Sequence, residues 1–374
     1  MFGTSSTMTR FTASSVALFA LLAGCATQAG DESASTENQV HTGGTDPGTS
    51  SGSTPPVVTP TEEADAELPA QWPNNGANGA CVDHHNNDPT IYKFKYNADT
   101  FILRENKCFN FEANFIYVFF GQNKVLIQDT GSVPQGYTKP KFTAEFPIRD
   151  TIEGLISEWL GAHPNPDGSA RTRDSMELLV THTHSHGDHV SGDYQFKNAD
   201  GTPLPGTKVA GLRPTDVAAF FGLANWPNQG GSVDLGGRII DVLPIPGHEA
   251  AHVALYDHKS KLLMTGDTLY PGHIFISDWT AFRASTARLA NWIKETDASG
   301  NPLRPINHVF GTHIEKKPTT GQASFYPYPS WSQNPERKLE LTPAHVAFEA
   351  QQAQALGPQG PTRETFFDDF SIDP

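Results

Sequence analysis

Residues 179–192 read L-V-T-H-T-H-S-H-G-D-H-V-S-G, which puts four metal-capable side chains, His184, His186, Asp188 and His189, within six residues. Histidines crowd the segment, but only a pattern starting at His184 has an aspartate four residues on and a histidine five on, giving H-x-H-x-D-H. The preceding residues 177–183, with Leu178, Leu179 and Val180, read as a short buried strand. Side chains alternate along a strand, so His182, His184 and His186 leave it on one face if the chain stays extended. A turn at Gly187 then swings Asp188 and His189 to another side. One segment can thus feed two neighbouring metal ions, His184 and His186 facing one and Asp188 and His189 the other. The plainer alternative is a loop of ordinary surface histidines. A zinc site needs three or four ligands, so the motif predicts further His or acidic ligands downstream, each on a loop at the end of a strand.

Such partners are present. Residues 238–245 (R-I-I-D-V-L-P-I) read as a strand running into Pro246, Gly247 and His248, a third ligand for the His184/His186 metal. The next strand pair, 252–256 and 261–264, is followed by Thr265, Gly266 and Asp267, a carboxylate just past a strand end that could bridge both metals. Residues 307–310 lead through Gly311 and Thr312 to His313, a last ligand for the Asp188/His189 metal.

This order, H-x-H-x-D-H, then G-H, G-D and G-T-H, resembles the metallo-β-lactamase-fold hydrolase superfamily over roughly residues 90–330. The resemblance implies an α/β fold, a four-layer αββα sandwich. It also implies that His184, His186 and His248 form one metal site and Asp188, His189 and His313 the other, with Asp267 between them. The opening of the family domain is recognisable in residues 114–131, where N-F-I-Y-V-F-F-G and V-L-I-Q-D-T-G look like a hairpin; Asp129 in its turn reads as structural.

Histidine nitrogens and carboxylate oxygens suit two Zn²⁺ ions, with iron or manganese compatible because no cysteine lies in the motifs. A pair of such ions acidifies a water held between them, making a nucleophile at neutral pH. Asp188 is the candidate catalytic residue, a ligand that can also orient the nucleophile and pass a proton to the leaving group. No G-x-S-x-G occurs, so a serine hydrolase has no support, and Ser185 reads as a small spacer. Tyr270 and His273, close after Asp267, are candidate pocket residues. His182 reads as a packed or supporting histidine, and His252 and His308 as structural ones. The expected substrate is a small molecule, an ester, lactone or related carbonyl compound. True metallo-β-lactamases of the superfamily commonly lack the aspartate that Asp267 supplies, whereas its lactonases, glyoxalase-type thioesterases and phosphodiesterases have it. β-Lactamase or thioesterase activity, a mono-iron persulfide dioxygenase and a non-catalytic surface binding module remain as alternatives.

The elements that must position these residues surround them. Ile148, Ile152, Leu155, Ile156 and Trp159 recur at helical spacing, as do Phe282, Leu289 and Ile293, each a core-facing stripe. Residues 76–340 are expected to form the catalytic domain. Residues 341–374 follow as a helix over 342–356 and a tail with too few apolar groups to promise order.

The N-terminus carries different signals. Arg10 precedes an apolar run at 16–22, too short to span a bilayer and suited to a signal peptide, and L-A-G-C ending at Cys25 matches a bacterial lipobox. The expectation is a lipoprotein signal peptide over 1–25, acylation of Cys25 and a membrane partner through that lipid. The site is the bacterial cell envelope, with Ala26 favouring the outer membrane in a Gram-negative cell. Residues 26–70 hold eight Asp or Glu and no Lys or Arg, among abundant Gly, Ser, Thr and Pro, so 26–75 reads as a disordered acidic tether. The whole chain carries 26 basic and 41 acidic residues, a net charge of −15, which argues against nucleic acid as a partner. Of three cysteines, Cys25 is assigned to the lipid, which leaves Cys81 and Cys108 as the one pair that can form a disulfide in an oxidising compartment.

Overall fold

The computed structural model describes residues 64–374. The expected signal peptide over 1–25, the expected acylation site Cys25 and the expected tether up to residue 63 lie outside the described residues.

Runs of β-branched and aromatic residues build two large sheets. The first takes β1 (Ile91–Asn97), β2 (Thr100–Glu105), β3 (Phe115–Phe120), β4 (Lys124–Gln128), β5 (Glu177–Thr181) and β6 (Thr207–Val209) in sequence order, with β4, β5 and β6 parallel. The second contains β7 (Gly231–Asp234), β8 (Ile239–Pro244), β9 (Val253–Asp257), β10 (Leu262–Gly266) and β12 (His308–Gly311) in the order β12-β10-β9-β8-β7. A small third sheet pairs β11 (His273–Phe275) with β14 (Ser371–Asp373) and β13 (Thr365–Phe366). The helices are α1 (Lys139–Glu145), α2 (Ile148–Ala162), α3 (Gly187–Val190), α4 (Pro214–Phe221), α5 (Trp279–Trp292) and α6 (Pro343–Ala355).

Strand alternation sorts the side chains into layers. Phe115, Tyr117 and Phe119 of β3 share one core with Val253 and Leu255 of β9 and Met264 of β10, so the two sheets face each other. Ile116, Val118 and Phe120 point the other way, into a core with Ile152, Ile156 and Trp159 of α2. On the far side Ala254, Tyr256 and Leu263 pack with Phe282 and Leu289 of α5 and Val346 of α6. The result is the four-layer αββα sandwich.

Two boundaries differ from the sequence expectation. Residues 64–75 belong to the packed domain and not to a tether. Trp72 is buried against Phe94 and Phe115, and the Ala66 N–H donates to the Tyr96 carbonyl at 2.6 Å. A single aromatic in an acidic, Pro-rich stretch carries little periodic signal, yet it fills a core position. The C-terminal tail is ordered as well: Phe370 and Ile372 are fully buried, and β14 aligns parallel to β11, a pairing across about a hundred residues that no local pattern announces. Cys81 and Cys108 form a disulfide, with Cα atoms 5.4 Å apart. No helix among the described residues is long and apolar enough to cross a membrane.

Candidate metal centre

β8, β10 and β12 run in one direction, as do β4 and β5, and the candidate ligands all follow the C-terminal ends of these strands. His184 and His186 leave β5, Asp188 and His189 sit in the first turns of α3, and His248, Asp267 and His313 follow β8, β10 and β12. Two glycines of the motifs are sterically required. Gly247 has φ +150°, and a Cβ there would lie 2.4 Å from Phe282 Cα. Gly266 has φ +53°, and its Cβ would meet His252 and Thr183 at under 3 Å.

The first trio converges through ring nitrogens. His184 Nε2, His186 Nδ1 and His248 Nε2 lie 2.9 to 3.1 Å from one another. The outward nitrogens fix the tautomers. His248 Nδ1 donates to the Phe275 carbonyl at 2.7 Å. Thr183 Oγ1 gives its proton to the Asp129 carboxylate, which can only accept, and so takes the hydrogen bond from His184 Nδ1 at 3.0 Å. The two inward Nε2 atoms therefore present lone pairs to each other, an arrangement that calls for a cation between them. Burial, joined by the neighbouring His189, holds His184 well below the ordinary imidazole range, and burial also lowers His248, which favours the neutral rings a metal requires.

The second set is Asp188, His189, Asp267 and His313, whose ligand atoms lie within 4.8 Å of one another. Asp188 Oδ2 is 2.9 Å from His189 Nε2 and 3.5 Å from His313 Nε2; Asp267 Oδ2 is 3.4 and 3.3 Å from the same two nitrogens. Asp267 Oδ2 also lies 3.9 Å from His184 Nε2 and 3.6 Å from His248 Nε2, so one oxygen stands between the two sets. His189 Nδ1 donates to Asp129 Oδ2 at 2.9 Å and His313 Nδ1 to the Glu112 carbonyl at 3.0 Å, which turns both Nε2 atoms inward. His189 Nε2 is buried and, although close to both carboxylates, makes no aligned hydrogen bond among the described residues. Burial disfavours charge on His189 and His313, but the carboxylates of Asp188 and Asp267 outweigh it and hold both imidazoles above their usual range. Conversely, burial would raise the Asp267 carboxyl, and His313 and His189 outweigh it to hold the group well below the ordinary value. Buried carboxylates drawing protons onto buried imidazoles is the electrostatic pattern a divalent cation would replace. The donor set fits two metal ions of the zinc class, three nitrogens for one and two nitrogens with two carboxylates for the other.

Residues around the ligands set their orientation. Thr312 Oγ1 donates to Asp267 Oδ1, and the Asp267 N–H donates to His252 Nε2 at 3.2 Å while the His252 ring stacks on His184. His252 is thus structural in the sense of carrying the site. Asp129 does more than shape a turn: fully buried at φ +75°, it accepts from the Thr183 N–H at 2.7 Å and from His189. His182 does not share a face with His184. The strand ends at Thr181, and His182 Nε2 pairs with Asp193 Oδ1 at 2.8 Å instead.

A cleft of about 320 Å³ opens over the two sets, lined in part by Glu112, Asp188, Tyr270, Phe275, Glu315 and Tyr328. Tyr270 is in the wall, its hydroxyl held by the His273 carbonyl and by Glu315 Oε2 at 3.2 Å. His273 is not. Its ring is tied to Glu364 and to the Tyr326 carbonyl at 3.0 Å, because pairing β11 with β14 turns it toward the C-terminal sheet. The sequence analysis does not single out Glu112, Glu315 or Tyr328; Glu315, two residues after His313, and Glu112, two before the 114–131 segment, have neighbouring motifs, and Tyr328 has none.

The metallo-beta-lactamase superfamily pattern matches residues 174–314. Hydroxyacylglutathione hydrolase of Pseudomonas entomophila is 33% identical over 146 residues, 38% of this chain and 50% of that protein. Hydroxyacylglutathione hydrolase GloC of Haemophilus influenzae is 33% identical over 118 residues, 28% of this chain and 55% of that protein. The chain spans about half the length of the curated relatives it matches. Among solved structures, a metallo-beta-lactamase from Pontibacter korlensis superposes with a TM-score of 0.38 at 15% identity, covering 71% of this chain and 99% of its own. The ligand order H-x-H-x-D-H, G-H, G-D and G-T-H at one edge of the sandwich lies wholly within residues 174–314, the stretch that matches the metallo-beta-lactamase superfamily.

Proposed function

We propose that this protein is a metal-dependent hydrolase of a small carboxylic ester or thioester, exported and held at the bacterial envelope by a lipid on Cys25. The observation that carries the catalytic part is the complete set of seven ligands, with the Asp267 oxygen within 4 Å of donors in both groups. The relatives named hydroxyacylglutathione hydrolase, a name that describes hydrolysis of an acyl group from glutathione, support carbonyl hydrolysis. The lipobox ending at Cys25 supports the anchor.

When bound, two ions of this class supply an acidified water and a polarised carbonyl. His184, His186 and His248 would hold one, Asp188, His189 and His313 the other, and Asp267 would reach both. The chain's own contribution is positional. Asp188 Oδ2 borders the cleft, with Asn114 Nδ2 3.5 Å away, where it can accept the proton of an attacking water and return it to the leaving group. Tyr270 and Phe275 supply aromatic surface to the cleft wall.

The test uses the full-length chain, stripped with a chelator, reloaded with zinc and screened on esters, lactones, thioesters, phosphodiesters and a chromogenic cephalosporin, with metals counted in parallel. Two zinc ions per chain and zinc-dependent turnover of an ester or thioester are expected. Two bound zinc ions with no turnover of either would refute the reading. Labelled palmitate should enter the wild-type chain and not Cys25→Ala; equal labelling would refute the anchor.

A further inference from the structure

We propose that a trough leading from the metal cleft to Trp331 receives the leaving-group arm of the substrate, and that this arm is uncharged and apolar or aromatic, with anionic arms excluded. This rests on the hydrolase reading above. The cleft of about 320 Å³ and a neighbouring hollow of about 580 Å³ share Glu112 and Asp188, so the second is a continuation of the first. Asp188 stands at the junction. A group departing along the trough passes the carboxylate best placed to give it a proton, which identifies the trough with the leaving group.

Its wall is mixed, with His84, Asn110, Ser132, Gln135 and Ser191 on it, but it carries a continuous apolar strip. Phe111, Val133, Pro134 and Trp331 line it. A row of ring contacts runs from the cleft outward: Phe275 to Tyr328 at 5.6 Å, Tyr328 to Phe111 at 5.4 Å and Phe111 to Trp331 at 5.4 Å. Of nine exposed large hydrophobic side chains among the described residues, four (Val133, Phe275, Tyr328 and Trp331) border this path, a clustering that unrelated surface residues do not show. The row is held in place before any ligand arrives. Tyr328 donates to Glu112 Oε1 at 2.6 Å, and the backbone at Trp331 lies against Gly76, where a Cβ would come within 2.3 Å of the Trp331 carbonyl oxygen. Fixed aromatic faces bind flat apolar groups at low entropic cost.

Charge decides the rest. No Lys or Arg lines either the cleft or the trough, while Glu112, Asp188 and Glu315 do. A carboxylate arm would cross between Glu112 and Asp188 with no Lys or Arg to pair it and a single imidazole, His84, in the wall, whereas an uncharged arm needs no counter-charge. For a thioester, the water oxygen bonds to the acyl carbon and the C–S bond breaks with its electron pair going to sulfur. The proton held at Asp188 moves to that sulfur, leaving a carboxylic acid and a free thiol.

The experiment compares three acetyl thioesters on the zinc-loaded full-length chain: S-benzyl thioacetate, S-ethyl thioacetate and S-acetylmercaptosuccinate, with thiol release as the readout. The benzyl compound should exceed the mercaptosuccinate at least tenfold in kcat/KM. Trp331→Ala should lower the benzyl-to-ethyl ratio of kcat/KM about tenfold, chiefly through KM, and Trp331→Phe should restore most of it. Equal or better turnover of the mercaptosuccinate, or an unchanged ratio in Trp331→Ala, would overturn the proposal. If no thioester is cleaved, the thioesterase reading falls and the trough is judged by binding alone. Saturable quenching of tryptophan fluorescence by S-benzyl thioacetate, lost in Trp331→Ala, supports it, and its absence in the wild type overturns it.

Discussion

Asp129 and His189, 60 residues apart, are joined by a 2.9 Å hydrogen bond from His189 Nδ1 to Asp129 Oδ2, both side chains fully buried. The bond keeps the proton on Nδ1 and the lone pair of Nε2 on the metal side. Asp129 has φ +75°, and asparagine also tolerates this region, so Asp129→Asn separates the carboxylate from the backbone. Affinity for the second metal ion should drop about 10- to 100-fold, measured by chelator competition, while the first ion is retained. Unchanged affinity for both would show that Asp129 only shapes its turn.

Asp188 tests the chemistry more directly. Its carboxylate is held well below the ordinary range because His189 and His313 outweigh the effect of burial, so it is ionised at neutral pH. Asp188→Ala should reduce hydrolysis at least about 100-fold on whichever substrate is found. The trio of His184, His186 and His248 should still bind one ion per chain. A variant that keeps two ions and the full rate would remove Asp188 from the mechanism.

Glu349 of α6 links pH to stability. It is fully buried, and neither carboxylate oxygen has a hydrogen-bond partner among the described residues. Burial raises its pKa well above the usual carboxyl value of 4.5, so the folded chain holds this proton more tightly than the unfolded chain does. The contribution to stability is therefore largest at low pH and is lost as pH rises past the ordinary value. Glu349→Gln should stabilise the protein by about 1 to 3 kcal/mol at pH 8 and by much less near pH 5, read from denaturant melts. A gain independent of pH would point to packing instead.

The Arg104–Glu336 pair ties β2 to the segment that follows the metal ligands. Arg104 Nη1 and Nη2 meet Glu336 Oε2 and Oε1 at 2.7 and 2.6 Å, with both side chains fully buried. Glu336→Ala leaves a buried guanidinium without its counterion and should cost about 3 to 5 kcal/mol in unfolding free energy. Arg104→Met combined with Glu336→Leu should recover most of that loss. A single variant within 1 kcal/mol of wild type, by the scale of exposed pairs, would mean that water reaches the site.

Much of the site was legible because its parts are local. The H-x-H-x-D-H register follows from residue order, and His248, Asp267 and His313 each follow a strand-like run, the first two directly after a glycine that the turn requires. The helical stripe from Ile148 to Trp159 likewise announced the layer it enters. Other features have no local signature. Trp72 reaches its core position from an acidic stretch, His273 turns away because β14 arrives beside β11, and Glu112 and Tyr328 meet across more than two hundred residues.

By itself the sequence determined which side chains could take up metal and the strand ends that carry them, since turn sterics and side-chain alternation act over a few residues. The tertiary structure alone decided how those ends meet, which nitrogen of each histidine faces inward, and that the cleft beside them is aromatic and acidic. These depend on the distance between chain segments, which burial of the two sheets against each other sets and no short stretch of residues encodes.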